Sequence, residues 1–215
     1  STFQARKIGE GAKLYKKELN RGTTIIWSLA GSIFSAGLRE LVIGSVRKNL
    51  VDCLVCTGAL FEQDMLEALG YNHYVQTEEI EDKTLQNLLI DRIYDHLLDE
   101  IELQHVDETY KKIAKQMDSG NYSSREFMEY CGKWLSNVKD ANDSVILAAY
   151  EMNVPIFIPA INDCSIGIGL AMNQSEVKNG ISIDSIKDLR EIAKMKDLCG
   201  DSGIVIVGGG VPKNY

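Results

Sequence analysis

Gly203-Ile-Val-Ile-Val-Gly-Gly-Gly-Val-Pro-Lys-Asn-Tyr215 is the stretch on which the fold turns. Four β-branched residues, Ile204 to Val207, run into three glycines. The pattern predicts a buried strand that ends in a turn where only bare backbone fits. In open α/β folds, ligands sit just beyond the carboxyl ends of such strands. The chain ends where a helix is expected to begin, so it reads as a piece of a longer chain. It also starts without Met, at Ser1-Thr-Phe-Gln-Ala-Arg-Lys7, which reads as a trimmed start.

Working back from that turn, the same unit recurs. Thr23 to Leu29 predicts a buried strand. The small turn Ala30-Gly31-Ser32 follows, with Ser32 or Ser35 as the cap of a helix over 34–48. Val51 to Thr57 predicts a second strand, then Gly58-Ala59 and a helix from about 60 to 69, closed by Gly70. Before these units, Phe3, Ile8, Ala12, Tyr15 and Leu19 place a surface helix over 3–20. Asn142 to Glu151 predicts a helix and Val154 to Ala160 a strand. Asn162-Asp163-Cys164-Ser165 ends that strand, and Gly167-Ile-Gly-Leu170 opens a short helix. Ile181 to Asp184 predicts a strand or edge, and Ser185 to Leu198 a helix. Strands alternating with helices predict an α/β fold with a parallel sheet flanked by helices.

The segment of about 75–140 departs from this rhythm. Leu85, Leu88, Leu89, Ile93, Leu97 and Leu98, then Ile113 and Met117, then Phe127, Tyr130, Trp134 and Leu135 read as helical in period. They predict a helical insertion packed on the α/β core rather than a separate domain. Ser123 or Ser124 with Glu126 marks a helix start within it.

The totals exclude several classes. A net charge of −8, from 23 basic and 31 acidic residues, argues against a general nucleic-acid binder. No apolar run approaches the ~20 residues of a membrane span, and the start lacks the apolar core of a signal peptide. Five scattered cysteines form no disulfide framework, so a reduced, cytoplasmic protein is expected. Cys53 and Cys56 lie three apart in one strand and so face opposite sides, against a shared metal. His73, His96 and His105 lack ligand spacing and read as surface residues. No metal site is expected.

Chemistry is expected at four strand ends: Ala30-Gly31-Ser32, Thr57-Gly58-Ala59, Asp163-Cys164-Ser165 and Gly208-Gly209-Gly210. In a parallel sheet they share one edge. Small residues there admit phosphates and sugars to backbone N–H groups, and helix N-termini favour anions. The plainer reading is four tight turns. Together they favour a nucleotide site, although no G-x-G-x-x-G is present: Gly167-Ile-Gly169 lacks the third glycine. Glu62, Gln63 and Asp64 open a helix, where acidic residues suit the helix dipole. The functional alternative is that one of them faces the cleft and holds an ammonium group. Lys213 is a phosphate contact or a solvated lysine.

Four stretches in this order resemble the deoxyhypusine synthase family: Ser35-Ala-Gly-Leu-Arg-Glu40, Val51-Asp-Cys-Leu-Val-Cys-Thr57, Val154-Pro-Ile-Phe-Ile-Pro-Ala-Ile-Asn-Asp-Cys-Ser165 and Gly208-Gly-Gly-Val-Pro-Lys213. The resemblance implies a Rossmann-like fold, bound NAD, and a homotetramer whose active sites are shared between subunits. It implies that NAD oxidises spermidine and that the aminobutyl group passes through an enzyme lysine to a lysine of a translation factor. Cofactor contacts then fall on Gly31, Ser32, Ile33, Phe34 and Ser35, on Thr57, Gly58 and Ala59, on Gln63, on Asp163 and Ser165, and on Gly208, Gly209 and Gly210. Glu62, Gln63 and Asn214 fall on the polyamine side.

This sequence departs from the family pattern in several places. The catalytic lysine of a Trp-Gly-Lys motif is expected beyond Tyr215, so none of these residues is assigned as catalytic. Asn214 stands where the family carries a histidine, and Asn neither serves as a general base nor carries charge. Ile168 replaces an aspartate that holds a substrate amine, and Gln63 replaces a glutamate. The pattern resembles the deoxyhypusine synthase-like branch, in which some members form homospermidine on a small diamine. The alternatives are a non-catalytic NAD-binding homologue or subunit, and an unrelated Rossmann-type oxidoreductase.

Overall fold

The structure is a computed structural model that describes residues 3–215. Helix α1 (Phe3–Arg21) buries none of its residues, as its sparse apolar spacing predicts. Tyr15 anchors it: the hydroxyl donates to the Leu50 carbonyl and accepts from Trp27 Nε1 at 3.1 Å. Strand β1 (Thr24–Leu29) follows. The expected helix over 34–48 begins later. A π-helical turn at Phe34–Leu38 comes first and is interrupted at Gly37, where φ is +85°. Helix α2 is Arg39–Arg47. Neither Ser32 nor Ser35 caps it, because the left-handed glycine separates them from the regular helix. Strand β2 (Cys53–Cys56) is buried throughout, and α3 (Gly58–Ala68) starts directly at its carboxyl end.

The middle segment differs from the helical expectation. It holds β3 (Tyr74–Val75), α4 (Asp82–Asn87), β4 (Ile90–Ile93) and β5 (His96–Asp99) before the long helix α5 (Glu100–Lys115). The three strands form an antiparallel sheet in the order β3-β5-β4. A two-residue turn, Tyr94-Asp95, joins β4 to β5, with Tyr94 at φ +59°. Short apolar runs do not distinguish strand from helix by period alone, and Leu88 and Leu89 are exposed rather than on a packed face. Beyond α5 come β6 (Asn121–Tyr122) and α6 (Ser124–Leu135). A complete capping box starts α6: Ser123 Oγ accepts from Glu126 N, and the Glu126 carboxylate accepts from Ser123 N.

This insertion packs on the α/β core and shares it. Tyr110, Ile113, Phe127, Met128 and Leu135 join Leu54, Cys56, Phe61 and Met65 in one buried cluster. The last third supplies α7 (Val145–Met152), β7 (Ile156–Phe157), α8 (Ser165–Glu176), β8 (Ser182–Ile183), α9 (Ser185–Cys199), β9 (Ser202–Val207) and α10 (Val211–Asn214). Helix α8 lies close on α5: a Cβ at Gly169 would sit 2.6 Å from the Asp107 carbonyl oxygen.

The main sheet has four parallel strands in the order β7-β2-β1-β9. β8 pairs instead with β6, outside it. Leu54 and Cys56 face the large cluster, while Cys53, Val55 and Phe157 meet Ile192 and Met195 of α9 on the other face. The predicted burial of β9 is not observed. Ile204 and Ile206 are 53% and 49% exposed, because β9 is the last strand on its side of the sheet.

Candidate functional site at the carboxyl edge of the sheet

Parallel strands bring the four predicted turns to one edge, and short contacts join them. Ala30 N–H donates to the Val207 carbonyl at 3.0 Å, and Thr57 N–H to the Leu29 carbonyl at 3.1 Å. A Cβ at Gly208 would lie 2.9 Å from the Ala30 carbonyl oxygen, and φ there is +81°. A Cβ at Gly58 would lie 2.2 Å from Cys164 Sγ, so the turn after β2 sits against the turn after β7. Toward the outside the edge is open: a Cβ at Gly31, Gly209 or Gly210 would meet nothing within 4 Å.

Among the polar atoms buried without a hydrogen-bond partner, Ser35 Oγ, Thr57 Oγ1 and Gln63 Nε2 lie at the turns after β1 and β2. Leaving a buried polar group unpaired costs about 1–3 kcal/mol, so such a cluster fits a ligand that supplies the missing partners. Gln63 is itself held in place, since its Oε1 accepts the Ser35 backbone N–H at 3.0 Å. Ser32 and Ala59 are half-buried beside these groups. Phe34 is expected as a cofactor contact. It is 1% exposed and packs edge-to-face on Phe61 in the core, which leaves only its backbone near the edge. Ile33 likewise packs against the core.

Glu62, Gln63 and Asp64 do not open the helix as expected: α3 starts at Gly58 with no acidic residue in its first turn, and the three, one turn further on, divide three ways. Asp64 is fully buried and structural. It pairs with Arg39 Nε at 2.7 Å and accepts the Val145 and Ile146 N–H groups at 2.9 and 3.0 Å, so it caps α7 rather than its own helix. Burial pushes its carboxyl up, and Arg39 with the two N–H groups holds it back. Gln63 serves the turn after β1. Glu62 faces the edge, where it accepts the Ser165 N–H at 3.0 Å. Burial raises the Glu62 carboxyl, the Ser165 bonds oppose this, and Asp107 and Asp163 raise it further. Asp107 of α5 is also raised by burial and steadied by the Ser165 hydroxyl. Three carboxylates therefore gather around the start of α8. Asp107 was not predicted here: it lies in a long charged helix, and only the packing of α5 on α8 brings it in.

Asp163 is exposed, as are Lys213 and Asn214. Asn214 Nδ2 donates to the Gly210 carbonyl at 3.2 Å, a local bond within the glycine turn. Ile168 is 50% exposed. Cys53 and Cys56 face opposite sides of the sheet, and burial pushes the Cys53 thiol up to about 12. His73 is not the surface residue expected. Its side chain is 6% exposed and lies 3.0 Å from Glu67, which also pairs with Arg39. A separate hollow of about 230 Å³, lined by Arg125, Ile146, Ala149 and Pro155 among others, lies at the opposite, amino end of β7 and away from these groups.

Comparison with known proteins agrees with this architecture. The deoxyhypusine synthase family matches residues 1–215. A deoxyhypusine synthase-like protein of Chlorobaculum parvum is 43% identical over 216 residues, covering 99% of this chain and 62% of the relative. A Methanosarcina mazei protein named "Probable deoxyhypusine synthase 2" is 40% identical over 214 residues, with 99% and 62% covered. A crystal structure of an Entamoeba histolytica protein provisionally assigned as a deoxyhypusine synthase shares the fold, with a TM-score of 0.64 at 23% identity over 88% of this chain and 58% of that one. The chain thus spans 62% of the length of these curated relatives. With the α/β architecture and the whole-length match together, this chain belongs to the deoxyhypusine synthase family.

Proposed function

We propose that the chain forms the NAD-binding domain of an enzyme that moves a 4-aminobutyl group from a spermidine-like polyamine to an acceptor amine. The observation that carries this reading is the joined edge of four strand-end turns, with unpartnered Ser35 Oγ, Thr57 Oγ1 and Gln63 Nε2 beneath open glycine backbone. The residues that would hold NAD are Gly31 to Ser35, Thr57 to Ala59, Gln63, Asp163, Ser165 and Gly208 to Gly210. When bound, NAD would accept a hydride from the carbon beside a polyamine nitrogen and return it after transfer. The α8 start is a poor place for its phosphates, because Glu62 already occupies the Ser165 N–H. Thr57, at the start of α3, makes no side-chain cap bond and leaves that helix terminus to an anion.

The chain's own contribution on the polyamine side is charge. Glu62, Asp107 and Asp163 repel one another, and a cationic amine placed among them relieves that repulsion. The acceptor is either a protein lysine or a small diamine, and the working assembly is a cytoplasmic homotetramer with shared sites. Among the described residues no helix is long and apolar enough to cross a membrane.

A second reading is a non-catalytic NAD-binding homologue or subunit. It is favoured by Asn214, an uncharged amide bonded to its own turn. Calorimetric titration with NAD tests the first requirement: a folded sample that binds none removes the proposal. Incubation of the full-length natural protein with NAD, aminobutyl-labelled spermidine, and either putrescine or a lysine-bearing acceptor protein tests transfer. NAD binding without any labelled product supports the second reading. Steady accumulation of NADH points to an ordinary oxidoreductase, since aminobutyl transfer returns the hydride.

A further inference from the structure

Tyr110 of α5 touches three other helices. It is fully buried and lies about one helical turn after Asp107. Its ring centroid is 6.2 Å from that of Phe127 on α6. Its Cβ faces Gly169 of α8, where an added Cβ would sit 2.8 Å away. A phenyl ring would fill this space equally well. The hydroxyl adds a requirement, because a buried O–H needs an acceptor. It donates to the Phe61 carbonyl at 2.8 Å, the carbonyl directly before Glu62. Phe61 lies inside α3, where the helix already supplies that carbonyl with a donor. The bond is therefore not needed to complete α3. What it fixes is where α5 stands against α3.

That placement matters at the start of α8. Glu62 reaches Ser165 from α3 and accepts its N–H at 3.0 Å. Asp107 reaches the Ser165 hydroxyl from α5. Residues 107 and 110, three apart on one helix, share a face. Gly169 lets α8 close on that face, since an added Cβ there would sit 2.6 Å from the Asp107 carbonyl oxygen. The two carboxylates thus stand on different helices, and the Tyr110–Phe61 bond ties those helices together beside both. We infer that Tyr110 is a positioning residue: its hydroxyl, bound to the Phe61 carbonyl, holds Asp107 and Glu62 on the same serine and so sets the spacing of the carboxylates that receive a cationic amine. The role toward an amine rests on the aminobutyl-transfer reading, whereas the placement of Asp107 does not.

The test is Tyr110→Phe in the full-length natural protein, which removes the hydroxyl and keeps the ring against Phe127 and Gly169. Calorimetry should show spermidine bound about tenfold more weakly, with NAD affinity unchanged, because Phe61 stays in α3 and only α5 gains freedom. In an Asp107→Asn background the same change should cost no further spermidine affinity, since Tyr110 acts through Asp107. Fully additive losses overturn the inference. Ser123→Ala loosens a cap of α6 and should leave spermidine affinity as it was; a matching loss there makes the effect one of stability alone and also overturns it. A second readout needs no ligand. Infrared difference spectroscopy across pH follows the Asp107 carboxyl, identified by the band that Asp107→Asn loses. In Tyr110→Phe this band should titrate at lower pH, because burial is the main influence that raises it and Asp107 leaves its half-buried place for water. An unmoved titration overturns the inference. If the natural protein binds no spermidine, the amine reading falls instead, and the infrared titration still decides whether Tyr110 places Asp107.

Discussion

Gln63 and Ser35 are 28 residues apart and share one hydrogen bond, in which Gln63 Oε1 accepts the Ser35 N–H at 3.0 Å. That bond ties the turn after β1 to the helix after β2. Gln63→Ala leaves the buried Ser35 N–H unpaired and should cost about 1–3 kcal/mol of stability. It should also weaken NAD binding, because the turn loses its reference point. Urea unfolding and NAD titration of the same variant separate the two effects. Unchanged NAD affinity would place the cofactor elsewhere.

Gly58 is the closest approach between two turns of the edge. Gly58→Ala puts a methyl group 2.2 Å from Cys164 Sγ and 2.8 Å from its Cβ. Overpacking of this kind costs about 1–3 kcal/mol. Cys164→Gly removes both clashing atoms, so the double variant should recover most of the lost melting temperature. A double variant no more stable than Gly58→Ala would show that this contact is not the constraint.

The Arg39–Asp64 pair is buried, with side-chain exposures of 6% and 0%. Asp64→Ala takes the fully buried partner from Arg39, which keeps Glu67 at 3.2 Å, and the acceptor from the Val145 and Ile146 N–H groups, and should cost about 3 kcal/mol in urea unfolding. Replacing both partners by apolar residues is often neutral for a buried pair. Here the double variant Arg39→Met/Asp64→Leu should remain clearly destabilised, because the Val145 and Ile146 N–H groups also lose their acceptor. A fully restored double variant would contradict this capping role.

Ser123 links two helices. Its Oγ accepts from Glu126 N at the start of α6 and lies 3.0 Å from Glu191 of α9. Ser123→Ala should cost about 1 kcal/mol, read as a lower urea midpoint with an unchanged slope. Ser123→Thr retains the hydroxyl and should cost less.

Glu62 and Asp107 both have raised carboxyl pKa values, chiefly from burial. Ionising them favours a bound polyamine. Spermidine affinity should therefore rise as pH climbs above the ordinary carboxylate range. Stability of the unliganded chain should run the other way. A carboxyl whose folded pKa is raised binds its proton more tightly in the native state. Its contribution is fully present below the unfolded value and is lost as pH rises through the folded one. Glu62→Gln/Asp107→Asn should flatten both profiles, and an unchanged spermidine profile would exclude this cluster as the amine site.

The residue pattern alone held the repeating strand–turn–helix unit, the four small-residue turns, a helix cap at Ser123 or Ser124 with Glu126, and the resemblance to the family. These are local signals: period, turn composition and cap spacing act within a few residues of one another. The alternation of side chains along a strand also placed Cys53 and Cys56 on opposite faces, as the structure has them. Only the tertiary structure decided the strand order, which leaves the apolar Ile204-to-Val207 run at an open edge. It also turned part of the supposed helical insertion into a three-stranded sheet, fixed Gln63 to Ser35 and Asp64 to α7, and carried Asp107 to Ser165. The physical reason is separation along the chain. Hydrogen bonds between residues tens of positions apart depend on which strands and helices become neighbours, and no short stretch of sequence records that choice.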